Sequence, residues 1–90
     1  MPIFIKTEKF KTKTFKLPYR ERKIFLSMHK EWVKNIIESG HHIYSGYLTN
    51  EERVPGGGGL LIIEAKDYST AKKIIDEDPM IKNELVFWKL

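Results

Sequence analysis

Leu60-Leu61-Ile62-Ile63-Glu64-Ala65 places four large apolar residues in succession, without the alternation of a half-buried strand. A short run of this kind, rich in β-branched residues, reads as a strand that wants cover on both sides. Working outward, residues 49–59 before it read as a loop: Thr49-Asn50-Glu51-Glu52-Arg53, Val54-Pro55 and the glycines Gly56 to Gly59. Before that loop, His41 to Leu48 reads as a strand carrying Tyr44 and Tyr47. Residues 20–39 read as a helix. At ~100° per residue, Phe25, Met28, Trp32, Val33, Ile36 and Ile37 share one face. Lys30, Glu31, Lys34, Asn35 and Glu38 take the other, and Gly40 closes the helix as a left-handed cap. Pro2 to Lys6 reads as a first strand, and Pro18 stops whatever precedes it.

On the C-terminal side, Ser69 or Asp67 caps a second helix with Ala71, Ile74 and Ile75 inside. That helix must end before Pro79, because a residue preceding proline is pushed out of helical geometry. Leu85 to Leu90 forms a last short strand. The order is β-α-β-β-α-β, the split βαβ pattern of an α+β, ferredoxin-like fold. Its four-stranded antiparallel sheet carries two helices on one face. The other face is left bare, and an apolar bare face marks an interface. Sheet-to-sheet homodimerisation is the simplest expectation.

Ninety residues make one domain, residues 1–90, with a thin core. The absence of cysteine excludes a disulfide framework, a thiol nucleophile and thiolate zinc sites, and fits a cytoplasmic protein. The longest apolar run falls far short of the ~18 residues of a membrane helix, and the N-terminus has no signal-peptide core. The net charge of +4 is uneven. Residues 1–23 hold eight basic and two acidic side chains, while the remainder carries an acidic excess of two. Lys9-Phe10-Lys11-Thr12-Lys13-Thr14-Phe15-Lys16 alternates cations with Thr and Phe, which suits nucleic-acid contact or a lysine-rimmed edge. The edge reading is favoured, with residues 6–19 a basic arm or loop. Nucleic acid is further disfavoured because Leu60–Ala65 carries none of the aromatics an RNA-binding sheet displays there.

His29 is the most informative residue for chemistry. It falls inside the apolar stripe of the first helix, where an ionisable ring must find a partner or stay neutral. Arg22, seven residues earlier, lies on the same face and is a candidate to hold an anionic substrate group at a cleft mouth. Asp78 sits on an Asp-Pro step that fixes extended backbone just past the second helix. A carboxylate there can approach the middle of the first helix and orient an imidazole as a general base. The glycine run is not a phosphate loop, since no Gly-Lys-Ser/Thr follows and a strand comes next, so a flexible hairpin loop is expected. His41-His42 points to opposite faces and completes no metal set. No cofactor is expected.

Three stretches resemble the YCII-related (YciI-like) family. These are Arg22 through Trp32; Gly40-His41-His42-Ile43-Tyr44-Ser45-Gly46; and Pro55-Gly56 through Ala65, on to Asp78-Pro79-Met80-Ile81-Lys82. The resemblance implies a dimeric α+β barrel in which two sheets pack face to face. It implies a His29–Asp78 pair in a cleft, and Gly46, in the small-residue-glycine step of the strand, joins Arg22 as a candidate substrate-binding residue. It further implies a small-molecule reaction of lyase, isomerase or dehydrochlorinase type. Tyr47 stands where that family usually has proline, and Glu84 where it usually has glycine. The alternatives to an enzyme are a binding module for a small metabolite or nucleic acid, and an assembly subunit.

Overall fold

The computed structural model describes residues 1–90. Eight elements follow in order: β1 (Ile3–Phe10), α1 (Thr12–Phe15), α2 (Tyr19–Glu38), β2 (Ile43–Thr49), β3 (Pro55–Glu64), α3 (Tyr68–Ile75), α4 (Pro79–Lys82) and β4 (Val86–Lys89). The strands form one antiparallel sheet in the order β2-β3-β1-β4. This is the ferredoxin-like α+β arrangement, and the order of the main elements is the one read from the sequence.

Register assigns the two faces. Lys6 lies opposite Leu61, which lies opposite Ser45, and Phe4 lies opposite Ile63, which lies opposite Ile43. Directly paired residues point to the same side, so this is the face the helices cover. Leu61, Ile63 and Ala65 are buried there against Ala71 and Ile75 of α3, with Trp32 of α2 packed alongside. Met80, Leu85 and Val86 form a second small cluster under Phe10, Leu17 and Phe25. On the opposite face Ile5, Ile62 and Tyr44 form one row across three strands. Ile3, Ile5, Tyr44, Leu48 and Phe87 stand exposed there.

Two local expectations change, and a further short helix is added. Lys6 to Phe10 do not leave the sheet as an arm: they continue β1, and Thr12–Phe15 fold into α1. Thr14 turns inward and donates to the Leu85 carbonyl at 2.6 Å, which ties α1 to β4. Gly56 to Gly59 are not a flexible loop. They form the first half of β3, where Gly59 pairs with both Glu8 and Tyr47. At Gly58 and Gly59, pairing with β1 on one side and β2 on the other overrides glycine's weak strand preference. The turn shrinks to residues 50–54, where the Asn50 side chain accepts from the Glu52 and Val54 amides. Finally, Pro79 starts a helix. As the first residue of α4 it lacks only an N–H that would have no partner anyway.

Candidate active site

Asp78 caps α4. Its Oδ1 accepts the Met80 amide at 3.0 Å, a turn geometry that the Asp-Pro sequence prepares. The same oxygen lies 2.9 Å from His29 Nδ1, on the middle of α2. His29 Nε2 lies 3.3 Å from the Ser45 hydroxyl, on β2. Asp78 Oδ2 accepts from Lys6 Nζ at 2.9 Å, and the same ammonium meets Glu8 Oε1 at 2.7 Å. Five side chains from three elements and the α3–α4 junction thus form one continuous line: Glu8, Lys6, Asp78, His29 and Ser45. The Trp32 ring lies against His29, with centroids 5.7 Å apart.

Burial grades along this line. The Lys6 and Asp78 side chains are fully enclosed, whereas the His29 side chain keeps 17% of its surface. The polar interior end is therefore sealed and the imidazole end reaches the surface. Burial alone would push the Asp78 carboxyl up. The hydrogen bond from His29 and the neighbouring charge of Lys6 outweigh it and hold the group below its ordinary value. Asp78 is therefore an acceptor-only carboxylate. Its neighbour Nδ1 must donate, and whenever the ring is neutral Nε2 then keeps a lone pair for the Ser45 hydroxyl or another donor.

His29 and Asp78 are brought together. Arg22 is not: its guanidinium reaches back to the Phe15 carbonyl at 3.4 Å. Seven residues of helix separate it from His29 by about 10 Å along the axis, so a shared face did not mean a shared site. Gly46 lies opposite Leu60, one residue past Ser45, and so on the uncovered face of the sheet. A Cβ there would meet nothing within 4 Å. Lys6, Glu8 and Ser45 were not anticipated. The signal for the first two was the alternation Phe4-x-Lys6-x-Glu8, which puts both on the face of an inward phenylalanine. Shallow surface hollows lie elsewhere, at the β2–β3 turn around Asn50 and Val54, and at the sheet edge around Ile37, His41 and Tyr44.

No protein-family model matches this sequence, and no curated protein matches it. Among solved structures the chain is similar to 5-chloro-2-hydroxyhydroquinone dehydrochlorinase from Burkholderia phenoliruptrix AC1100, in complex with 2,5-dihydroxybenzoquinone. The TM-score is 0.69 at 16% identity, over 99% of this chain and 92% of that one. At this identity the likeness shows the fold alone, the ferredoxin-like α+β arrangement described above.

Proposed function

We propose that this chain is a small-molecule enzyme of the YCII-related kind, in which His29 acts as general base and Asp78 holds it in the working tautomer. The observation that carries the reading is the line Asp78–His29–Ser45, with its carboxylate sealed and its imidazole at the surface. Nε2 can take a proton from a substrate hydroxyl or an activated C–H. The electron pair left behind can then expel a leaving group or shift a double bond. The ligand's reacting group is neutral: the cation in the line, Lys6, is enclosed between two carboxylates, and Arg22 is directed elsewhere. Trp32 beside His29 suits a flat ring. With the likeness in fold to the dehydrochlorinase, hydroxylated rings are the substrate class to try first.

The test uses 5-chloro-2-hydroxyhydroquinone with chloride release as readout, and 2,5-dihydroxybenzoquinone as binding probe. His29→Ala should lower turnover ~100-fold or more while leaving the fold intact. Unchanged turnover in that variant would refute the base. Failure of the wild type both to bind the probe and to release chloride would refute the hydroxylated-ring class.

We further propose that two copies pair through the uncovered sheet face, supported by the exposed row of Ile5 and Tyr44 with Ile3, Leu48 and Phe87. No helix is long and apolar enough to cross a membrane.

A further inference from the structure

A lysine with no exposed surface is uncommon, and it persists only where its charge is met. Lys6 is met twice, by Glu8 Oε1 at 2.7 Å and by Asp78 Oδ2 at 2.9 Å. The base mechanism does not use it: the ammonium touches neither His29 nor any surface a ligand reaches. What it does touch is the Asp78 oxygen that His29 leaves free.

The two Asp78 oxygens have different tasks. Oδ1 accepts from His29 Nδ1 and from the Met80 amide, and Oδ2 accepts from Lys6. The terminal torsion of an aspartate is broad and roughly two-fold, so a carboxylate held on one side only can rotate. A contact on each oxygen, one from α4 and one from β1, fixes that rotation. The charge of Lys6 also contributes to keeping Asp78 ionised.

We propose that Lys6 is a positioning residue for His29: clamped by Glu8, it fixes the Asp78 carboxylate plane so that Nδ1 carries the ring proton and Nε2 stays bare. This rests on the reading of His29 as a base, and it adds a residue from the first strand that acts through Asp78. Glu8 takes part through the second ion pair that holds the Lys6 ammonium.

The test is nitrogen-15 NMR of the His29 ring in the ligand-free protein, which reports which nitrogen carries the proton. Wild type should show the Nδ1-protonated form. In Lys6→Met the Nε2-protonated fraction should rise about fivefold, as expected when one net hydrogen bond's worth of bias is lost. The Lys6→Met/Glu8→Gln double variant removes both members of the clamp, leaves no orphaned Glu8 charge, and serves as the readout should the single variant fail to fold. The same shift is expected there. A folded variant with the wild-type tautomer would overturn the proposal, and so would failure of both variants to fold, which would make Lys6 a purely structural residue. The ring signals are read without turnover, so this result is separate from the fate of His29→Ala.

Discussion

Lys6 and Asp78 are 72 positions apart in sequence and 2.9 Å apart in space, with neither side chain exposed. This pair joins the first strand to the last quarter of the chain, across the face the helices cover. It also closes the interior end of the line that reaches the surface at His29. A purely structural core would place an apolar pair here more cheaply, because removing two charges from water costs several kcal/mol per ion before their attraction is counted. The continuation through His29 to Ser45 gives the buried charge a use.

Asp78→Asn should therefore act on stability and on its pH dependence together. At neutral pH it leaves the buried ammonium with Glu8 alone, a loss of roughly 3 kcal/mol. The sign of the pH effect follows from Asp78 binding its proton less readily in the folded than in the unfolded chain. Its contribution is fully present above the ordinary carboxylate value, ~3.9, and is lost as pH falls through the lower folded value. Urea titrations from pH 7 to pH 2.5 should show a wild-type acid limb that is shallower in the variant. Parallel limbs would mean that Asp78 does not carry it.

The fold was legible where side-chain pattern and backbone preference agreed. Of the six apolar residues read onto the inner face of α2, Phe25, Trp32, Val33 and Ile36 are half-buried there, while Met28 and Ile37 at its margins are exposed. His29 and Asp78 were legible because an ionisable ring in an apolar stripe and a fixed Asp-Pro step each demand a partner. Lys6 and Glu8 were not, because a lysine inside a basic run looks like solvent-facing charge until the partner from α4 is in place. The strand at Gly58 and Gly59 was not, because its geometry comes from β1 and β2 on either side and from nothing local. Arg22 was read onto the His29 face from its angle, one to two turns away, and nothing in the sequence shows that its guanidinium turns back to the Phe15 carbonyl.

Glu84 illustrates a departure that the backbone explains. It adopts φ of 56°, in the left-handed region that favours glycine, just before the last strand. A non-glycine residue there costs ~1–2 kcal/mol, partly offset by the ~0.5–1 kcal/mol that glycine's extra freedom in the unfolded chain would cost. Glu84→Gly should raise the melting temperature by about 2–5 °C. A fall in melting temperature would show that the Glu84 side chain makes up for its backbone.

Gly59 tests the clamp from the neighbouring strand. A Cβ there would stand 3.0 Å from Glu8 Cγ and 3.2 Å from Cδ, tight enough to push the Glu8 side chain aside. Gly59→Ala should loosen Glu8 from Lys6 and cost on the order of 1–2 kcal/mol, the worth of a charge-assisted hydrogen bond. Urea denaturation measures this, and combination with Glu8→Gln should be less than additive, because both changes remove the same contact. Full additivity would separate Gly59 from the clamp.

The uncovered face supplies the last prediction. Ile5 occupies its centre, on one of the two inner strands, in a row with Ile62 and Tyr44. If two sheets pack there, as proposed above, Ile5 lies at the middle of the interface. A charge at that point must then be buried without a partner. Ile5→Lys should weaken self-association by about 30-fold or more, corresponding to ~2 kcal/mol. The change should leave the monomer fold intact, because Ile5 is already 53% exposed in the single chain. Sedimentation across a range of protein concentrations should show a wild-type dimer and a variant shifted to monomer. A wild type that sediments as a monomer at every concentration would refute the pairing, and the exposed apolar row would then require another partner.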